Sequence, residues 1–556
     1  MTVHARVFRN SYRDSVELMR IAAEIEGLDG ITRAGLVMAT LANREVLQEA
    51  GLLAEAALAA GPNDLVVAVA ADADAAAEIA LDRAAERLSG TDAGTAADAV
   101  RTSWRTIAEG VADLGGADVA LVSTPGTYAT AEALKALKRG INVFLFSDNV
   151  PIEDEIELKN LAVARDLLLM GPDCGTAILD GVPLGFANAV RRGDIGLIGA
   201  SGTGLQQVSC LIDRGGAGVS QAIGVGGRDL DARVGGTMML AALRRLDADP
   251  GTRVIVLISK PPADTVARVV LQAAGSLETP VVVNFLGGDP ATVRAFGLIP
   301  ARTFEAAANA ATALSRGEAV ADATAGDTTG GADSADGADR TEVSAGPAGA
   351  SRRASADAIA RLQPGQWRIR GLFAGGSLSG EAKLILGWTL GAEAARTHEI
   401  LDLGDDEYTV GRPHPMIDPR LRNEHIVAAA DDPSTAVILL DVVLGHGANA
   451  DPAGALVPAI RDARQRAARA GRHLAVVASV CGTDADFQGR SRQEAILAAA
   501  GVILAPSNAQ AAGIAAAIAA ATRGDGGGPA GGGASDGAGS AGGIAMSVVT
   551  GPGAPL

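Results

Sequence analysis

The chain has 556 residues, of which 48% are hydrophobic, and its formal net charge is −18. Because a single hydrophobic core does not grow to this length, three or four domains are expected. The acidity disfavours nucleic acids and anionic membranes as partners, but it leaves room for a local site that binds a small anion.

Residues 1–112 are predicted to form a small N-terminal α/β domain. The spacing of apolar residues predicts two strands and two helices there, at 4–8, 65–71, 12–25 and 75–88. Residues 113–190 continue with a strand, a helix and a strand, at 118–123, 129–138 and 142–147. This alternation is typical of a parallel sheet.

Two larger units of the same kind follow. Residues 191–315 contain predicted strands at 195–199, 220–225, 253–259 and 280–286. Residues 353–522 contain predicted strands at 368–373, 399–403, 435–443, 474–479 and 502–505. The acidic segment 316–352 is predicted to be a disordered linker, and the Gly/Ala-rich tail 523–556 is predicted to be disordered as well. The predicted fold class is therefore α/β with several parallel-sheet domains.

Two Gly-rich turns between a strand and a helix, one in each half of the chain, are the most informative motifs. Each begins with an apolar strand and ends in hydroxyl-bearing residues at a helix start, at 194–204 and 369–380. A helix start has unpaired N–H groups and a partial positive charge, and glycine lets an anion approach them. The pair predicts a duplicated anion site formed by Ser201, Gly202, Thr203, Gly375, Gly376 and Ser377. The alternative is a plain capped turn in each place.

Several other candidates follow predicted strands. Because ligands of open parallel sheets bind beyond the carboxyl ends of the strands, these segments are expected on one functional edge. They are Lys260, 224–228, 405–418 and 445–447.

Of the six histidines, His414 is the strongest candidate for a catalytic residue. Prolines flank it, and Arg412, Asp418 and Arg420 are close in sequence. A neutral imidazole near a carboxylate can act as a general acid–base group or be phosphorylated, and an arginine can hold a phosphate or carboxylate bidentately. The alternative is a structural histidine in a rigid loop. His446, between two glycines, is a second such candidate.

Lys260 either neutralises a bound anion or is a surface charge. The thiols of Cys174 and Cys481 are expected to be structural, and their spacing, together with that of Cys210, suits neither a metal site nor a disulfide. No metal and a reducing, cytoplasmic location are predicted. The N-terminus lacks an apolar signal-peptide core, and no apolar run has membrane-spanning length.

The chain resembles the succinyl-CoA synthetase superfamily, and within it the FdrA family. One group of segments is similar to the family's CoA-binding half and domain junction, at 123–125, 138–151 and 170–174. A second group is similar to the phosphate-helix segments of the α and β subunits, at 199–203, 224–227, 373–377, 401–404 and 436–441. The stretch 411–419 resembles a segment characteristic of FdrA proteins.

The resemblance implies a partial Rossmann-like CoA-binding domain at 113–190, with Ser123 and Pro125 as CoA-binding residues. It implies two flavodoxin-like ligase domains, α-type at 191–315 and β-type at 353–522, fused in one chain. In the family, the two helix N-termini face a common phosphate, which here would belong to an acyl or carbamoyl phosphate. Partner subunits in a hetero-oligomer are also implied.

The chain departs from the family pattern at the reacting groups. The family's phosphorylated histidine would fall within 287–299, which contains no histidine, and its carboxylate partner is replaced by Lys260. There is no room for the β subunit's ATP-grasp domain. The chain alone is therefore not expected to activate an acid with ATP, unless His414 compensates for the missing histidine.

Three functions remain open from the sequence. The first is an acyl-CoA synthetase, like succinyl-CoA ligase, that works with partner subunits. The second is a subunit of an oxamate carbamoyltransferase of allantoin catabolism, to which the FdrA family is linked. That reaction converts oxalurate and phosphate into oxamate and carbamoyl phosphate, without ATP or phosphohistidine. The third is a non-catalytic scaffold subunit.

Overall fold

The structure, a computed structural model, describes residues 2–89 except 12, 14, 41–42, 45–46 and 49, and residues 104–320, 347–409 and 413–521. The predicted tail 523–556, most of the predicted linker 316–352 and the candidate Arg412 lie outside these ranges. No helix within them has both the length and the apolarity that crossing a bilayer requires.

The N-terminal unit is a three-stranded antiparallel sheet with helices. Its strands are β1 (Thr2–Phe8), β2 (Ile31–Met38) and β3 (Leu65–Ala71), and its helices are α1 (Ser15–Glu26), α2 (Glu55–Leu58) and α3 (Asp74–Ser89). The central strand β3, between β1 and β2, is buried throughout because its side chains pack into a hydrophobic cluster on each face of the sheet. The sequence predicted β1, β3, α1 and α3 but not β2.

The second unit is a short parallel sheet of three strands. It contains β4 (Val119–Val122), β5 (Asn142–Leu145) and β6 (Leu169–Met170), with α4 (Ile107–Leu114), α5 (Gly126–Leu137) and α6 (Ile152–Ala164). Ile107 and Val111 of α4 pack against a hydrophobic core that this unit shares with the following one. The predicted boundary at residue 112 therefore differs from the structure, because it falls inside α4.

The third unit is a seven-stranded sheet, called here the seven-stranded unit. Its strands are β7 (Thr176–Leu179), β8 (Val182–Gly185), β9 (Arg192–Ala200), β10 (Val219–Gly224), β11 (Val254–Ser259), β12 (Val281–Phe285) and β13 (Ile299–Pro300). Its helices are α7 (Gly202–Arg214), α8 (Thr237–Asp247), α9 (Asp264–Ala274), α10 (Pro290–Ala295) and α11 (Phe304–Ser315). The strand order is β13-β12-β11-β9-β10-β7-β8. The hairpin β7–β8 joins this sheet, so the unit begins before the predicted residue 191.

The fourth unit, the five-stranded unit, has a fully parallel sheet. Its strands are β14 (Arg368–Phe373), β15 (Glu399–Asp402), β16 (Thr435–Val443), β17 (Ala475–Cys481) and β18 (Ile503–Ala505). Its helices are α12 (Pro347–Arg361), α13 (Gly376–Leu390), α14 (Ala392–Ala395), α15 (Asp406–Thr409), α16 (Arg420–Ala429), α17 (Pro452–Arg469), α18 (Arg490–Ala499) and α19 (Asn508–Ala521). The order β15-β14-β16-β17-β18 is the flavodoxin-like order.

Helix α12 corrects the linker prediction at its C-terminal end. Residues 347–352 are helical rather than disordered, and the Ser351 hydroxyl donates a hydrogen bond to the Leu504 carbonyl at 2.6 Å. The composition of this segment is poor in bulky apolar residues, but docking on β18 compensates for that deficit.

The α/β fold class predicted from the sequence is confirmed, and it includes two flavodoxin-like sheets. The parallel strands of the seven-stranded unit, β13-β12-β11-β9-β10, repeat the order of the five-stranded unit read from the other edge. In both units the first strand therefore lies at the point where the strand order reverses. Ligands of such sheets bind at that point, beyond the carboxyl ends of the strands.

The two flavodoxin-like units share one hydrophobic core. It joins α7 and α11 of the seven-stranded unit to α13 and α19 of the five-stranded unit. A buried polar group crosses the boundary as well: the Gln206 side-chain amide on α7 donates to the Leu444 carbonyl of the five-stranded unit at 3.1 Å. These contacts fix the two helix starts of the candidate site relative to each other.

A buried carboxyl group on α13 belongs to the same boundary. Glu381 accepts hydrogen bonds from the Phe304 N–H at 2.7 Å and from the Asn508 side chain at 2.8 Å. Burial raises its pKa from 4.5 to about 7, although both hydrogen bonds oppose the shift. The boundary therefore contains a group that titrates close to neutral pH.

Glu381 is expected to make stability depend on pH. Since the pKa is higher in the folded state, ionisation costs nothing below the unfolded pKa of 4.5 and reaches its full cost above about 7. The free energy of unfolding should fall by about 3 kcal/mol across that window. Urea unfolding at about pH 5 and about pH 8 measures it. Glu381→Gln should remove this loss of stability. The control Glu393→Gln changes a side chain that is 93% exposed, and it should keep the loss. An equal loss in both variants contradicts the assignment to Glu381.

Candidate functional site

The first Gly-rich turn carries the chain from β9 into α7. Gly199 is required there because a Cβ would lie 2.6 Å from Cγ of Leu205. Ser201 is the N-cap of α7 in extended conformation, and its hydroxyl oxygen accepts a hydrogen bond from the Gly204 N–H at 3.0 Å. The Ser201 cap accepts only from the Gly204 N–H, so the N–H groups of Gly202 and Thr203 have no acceptor inside the helix.

The second Gly-rich turn carries the chain from β14 into α13 and has no side-chain cap. Its shape is held instead by Asp441, near the end of the neighbouring strand β16. The two carboxylate oxygens of Asp441 accept hydrogen bonds from the N–H groups of Ala374 at 2.9 Å and Gly375 at 2.7 Å. These two N–H groups are therefore occupied, whereas those of Gly376 and Ser377 have no acceptor inside the helix.

Arg422 on α16 completes this arrangement. Its guanidinium donates to Oδ1 of Asp441 at 2.7 Å and to the Leu372 carbonyl at 2.9 Å. The side chains of Arg422 and Asp441 are 4% and 0% exposed, so the charges are buried and paired. The sequence analysis marked Asp441 only as the end of the family-like segment 436–441 and assigned no role to it or to Arg422, although an aspartate in a strand otherwise made of apolar residues and threonine was an available signal.

The two turns meet in the structure. The Ser201 hydroxyl donates a hydrogen bond to the Ser377 hydroxyl oxygen at 2.6 Å, and a Cβ on Gly375 would lie 2.9 Å from Cγ2 of Thr203. The fold therefore brings together all six predicted phosphate-binding residues, from segments about 170 positions apart in the sequence. Two helix N-termini face each other across this contact.

A buried hydroxyl adjoins the first of these helix starts. Thr176 on β7 is 2% exposed, and its Oγ1 has no hydrogen-bond partner among the described residues. This oxygen lies 3.7 Å from the position of a Cβ on Gly202. Burying a hydroxyl without a hydrogen-bond partner costs free energy, so such groups are rare in protein interiors. The Thr176 hydroxyl could instead donate to a ligand at the start of α7.

Lys260 and Asp402 flank Gly376 from opposite units. A Cβ on Gly376 would lie 3.4 Å from Nζ of Lys260 and would collide with the Asp402 carboxylate. Lys260 is exposed and forms no ion pair within the described ranges. Burial raises the pKa of Asp402, and the positive charge of Lys260 opposes that shift. The predicted functional edge therefore carries a lysine and a carboxyl group beside the second helix start.

His414 lies behind the second turn rather than beside Asp418. Its Nδ1 accepts a hydrogen bond from the Met416 N–H at 3.2 Å, which leaves the proton of the neutral ring on Nε2. Nε2 lies 2.5 Å from the position of a Cβ on Gly404. Burial lowers the pKa of His414 to about 4, so the ring is neutral near pH 7.

The predicted partner of His414 binds elsewhere. The Asp418 carboxylate accepts hydrogen bonds from the N–H and the side chain of Arg420, at 3.0 and 2.7 Å. Arg420 also contacts Glu26 of the N-terminal unit. The structure therefore joins the two residues only through the backbone, where the Asp418 N–H donates to the His414 carbonyl at 3.0 Å, and does not pair the imidazole with the carboxylate. The short helical turn between them directs the carboxylate toward Arg420.

The remaining candidates are spread over the molecule. His446 is exposed, and its N–H donates to the Ala187 carbonyl at 3.2 Å. Cys174 is buried, and burial raises its pKa to about 12, so it is not a reactive thiolate. Ser123 and Pro125 are exposed in the turn between β4 and α5, and Oγ1 of the intervening Thr124 is buried without a partner there.

Three family models match the chain. The CoA-ligase model matches residues 372–518, the CoA binding domain model matches 190–288, and a model described as "AllF, heavy metal-associated domain" matches 1–102. The CoA binding match lies C-terminal to the segment 113–190 for which that domain was predicted. It covers the turn that contains Ser201.

The N-terminal unit does not fit a heavy-metal site. Residues 1–102 contain no cysteine and a single histidine, His4, whose Nε2 lies 3.0 Å from the Asp74 carboxylate. No cluster of three metal-ligating side chains occurs among the residues that the structure describes.

Three relatives differ in how much of the chain they share. The uncharacterized protein YahF of Escherichia coli is 41% identical over 91% of this chain and 97% of its own length. Subunit SauD of the ADP-forming sulfoacetate-CoA ligase of Bilophila wadsworthia is 27% identical over 31% of this chain and 60% of SauD. The α subunit of the ADP-forming succinate–CoA ligase of Staphylococcus epidermidis is 25% identical over 32% of this chain and 58% of the subunit. The chain thus spans somewhat more than half the length of each ligase subunit.

Among solved structures, the chain is similar to the apo form of the dinucleotide-forming acetyl-coenzyme A synthetase 1 of Ca. Korarchaeum cryptofilum. The two are 16% identical, the match covers 73% of this chain and 83% of that one, and its TM-score is 0.30. The assignment depends instead on YahF and on the CoA-ligase and CoA binding matches. The chain belongs to the family that includes YahF, an FdrA-type family of the succinyl-CoA synthetase superfamily.

Proposed function

We propose that the chain is an enzyme subunit that holds the phosphoryl group of an acyl or carbamoyl phosphate between the starts of α7 and α13. The observation that carries this proposal is the hydrogen bond of 2.6 Å between Ser201 and Ser377, which joins the two helix starts. Two N-termini directed at one position favour an anion there, each by ~0.3–1 kcal/mol.

The surroundings of this position support an anion. The N–H groups of the first turns are potential donors, and the unpartnered hydroxyl of Thr176 adds another at α7. Lys260 supplies a positive charge beside Gly376. The anion would enter from the side of Gly376 and Lys260, because Ser201 and Ser377 are only 6% and 3% exposed.

The residues present support direct use of phosphate rather than a phosphohistidine. Residues 287–299 contain no histidine, and Lys260 follows β11 where the superfamily pattern has a carboxylate. Bound phosphate would then itself attack an acyl carbonyl, and Lys260 would stabilise the negative charge. Coenzyme A, if bound, would be held by Ser123 and by the unpartnered Thr124 hydroxyl, and it would supply a thiol as acyl acceptor.

A partner subunit forms part of this proposal. The relatives SauD and the succinate–CoA ligase α chain are named as subunits of their enzymes. The present chain would correspondingly bind a partner that contributes the nucleotide-binding parts it lacks.

An oxamate carbamoyltransferase subunit is the second candidate. The observation in its favour is the combination of a composite anion site with the absence of a histidine in 287–299. Phosphorolysis of oxalurate needs a phosphate and a positive group near the dicarbonyl acid, which Lys260 can supply. It needs neither ATP nor a phosphorylated histidine.

Calorimetric titration of the purified chain with phosphate, carbamoyl phosphate, CoA and ATP tests these functions. We expect phosphate and carbamoyl phosphate to bind, and Ser201→Ala to weaken both about tenfold, since the α7 cap and the Ser201–Ser377 hydrogen bond that joins the two helix starts are lost. Thr303→Ala removes the equivalent cap of α11, whose oxygen accepts from Ala306, and should leave binding unchanged.

The other results of this titration discriminate between the candidates. Binding of CoA or ATP in place of carbamoyl phosphate would favour the ligase over the carbamoyltransferase. Binding of none of the four ligands, with or without partner subunits, would contradict both and leave a scaffold subunit.

A further inference from the structure

The Asp402 carboxyl group stands at the start of α13, beside the proposed anion. Asp402 is the last residue of β15, which pairs in parallel with β14 so that Asp402 lies opposite Phe373. Its Oδ1 accepts a hydrogen bond from the Gly404 N–H at 3.1 Å. Its Oδ2 is the atom with which a Cβ on Gly376 would collide. Only glycine at position 376 lets this oxygen approach the helix start.

The second oxygen of Asp402 is left available for a proton. Within the described residues, Oδ2 accepts no hydrogen bond and forms no ion pair. This differs from Asp441, whose two oxygens are occupied by the turn and by Arg422. A dianion at the start of α13 would therefore lie next to the Asp441 carboxylate, which is paired with Arg422, and next to the Asp402 carboxylate, which has no ion-pair partner among the described residues.

Burial makes the largest contribution to the raised pKa of Asp402, and three charged groups act on it as well. Lys260 approaches from β11 and lowers its pKa, whereas Asp441 on β16 and Asp405 in the following loop raise it. His414, on the far side of Gly404, is neutral near pH 7 because burial lowers its pKa to about 4. His414 therefore does not contribute a positive charge to this side of the site.

We propose that Asp402 is the residue that holds the transferred proton at this site: it takes up a proton when a dianion binds beside Gly376 and gives it to the leaving group. This inference rests on the proposed function, because it needs the anion. A dianion beside an ionised carboxylate is repelled, so binding and protonation favour each other.

The transfer step balances with this one proton carrier. An oxygen of bound HPO₄²⁻ attacks the acyl carbonyl carbon, a C–O bond forms, and the bond from carbon to the leaving sulfur or nitrogen breaks. Asp402 donates its proton to that leaving atom, which departs as a neutral thiol or amide. The proton of the phosphate then returns to the Asp402 carboxylate, so that a dianionic acyl phosphate remains.

Calorimetry with inorganic sulfate tests the proton uptake. Sulfate stays a dianion from about pH 5 to about pH 8, so any proton taken up on binding belongs to the protein. Titrations near neutral pH in two buffers of different ionisation enthalpy should show an uptake of up to one proton. The sulfate affinity should fall by up to about tenfold per pH unit once Asp402 is ionised in the free chain.

Asp402→Asn tests the assignment to this residue. The variant should bind sulfate without proton uptake, with an affinity that varies little with pH and exceeds that of the unmodified chain at about pH 8. The matched variant Asp405→Asn removes the same charge from an exposed side chain and should keep the proton uptake.

Two results would overturn the inference while leaving the proposed function intact: sulfate binding without proton uptake in the unmodified chain, and proton uptake that persists in Asp402→Asn. If neither sulfate nor phosphate binds, the proposed function fails, and this inference fails with it. Should Asp402→Asn not fold, the pH dependence of sulfate affinity in the unmodified chain decides, since an affinity independent of pH contradicts the proposal.

Discussion

Asp441→Ala is expected to lower the free energy of unfolding of the five-stranded unit by about 3–5 kcal/mol, because it leaves the buried Arg422 guanidinium without its charge partner. The N–H groups of Ala374 and Gly375 lose their acceptors in the same change. Native-state hydrogen exchange of the amides in β14 and β16 measures the loss in this unit alone.

Two further variants separate the buried charge from other effects. The double variant Asp441→Leu with Arg422→Met removes both charges and should recover part of the loss. Asp462→Ala breaks an exposed pair with Arg466, whose side chains are both 44% exposed, and should cost less than about 1 kcal/mol. A loss of that smaller size in Asp441→Ala would show that the pair does not hold the turn.

Gly376→Ala is expected to weaken phosphate and sulfate binding more than tenfold. The added methyl group would displace the Asp402 carboxylate and would occupy space 3.4 Å from Nζ of Lys260. It would therefore cover the N–H groups at the start of α13 that the proposed anion needs. Calorimetric titration with phosphate measures the change.

Gly387→Ala is the matched control for this variant. Gly387 lies in the same helix, and a Cβ there would meet nothing within 4 Å. The control should bind phosphate like the unmodified chain and gain about 0.5–1 kcal/mol of helix stability. Equal phosphate affinity in both variants would contradict an anion at the start of α13.

The sequence predicted the helix starts well because their signals are local. A strand that ends in glycines followed by hydroxyl residues specifies both the turn and its exposed N–H groups within about ten positions. The order of the strands was also accessible, since alternating strands and helices restrict the topology to parallel sheets with right-handed connections. The two turns could therefore be predicted to lie at equivalent places in two similar sheets.

The residues that shape the second turn were not accessible in the same way. Asp441 binds the N–H groups of Ala374 and Gly375, and Arg422 binds the Leu372 carbonyl, from about 50 to 70 positions away. The local pattern of β16 and α16 does not indicate these partners. For His414, by contrast, closeness in sequence suggested a side-chain partner that the structure does not place beside it. Its neighbour in sequence, Asp418, is the obvious partner, but the intervening backbone directs that carboxylate to Arg420.

The strand β2 and the helix α12 were missed for a related reason. Residues 31–38 contain Thr32, Arg33 and Gly35 among apolar residues, so their alternation is weak, and pairing with the buried strand β3 decides the conformation. Helix α12 is poor in large apolar residues, and its docking on β18 was not visible locally. Tertiary contacts override weak local preferences in both cases.

Because Ser201 and Ser377 belong to a single polypeptide, the meeting of the two helix starts does not depend on the protein concentration. In an enzyme that divides such halves between two gene products, dilution separates them and unequal synthesis leaves one in excess. A covalent connection from Ser315 to Pro347 instead keeps the halves at an effective concentration of the order of millimolar. Their ratio is then fixed at one to one during translation, and any partner subunit meets a site whose two sides are already assembled.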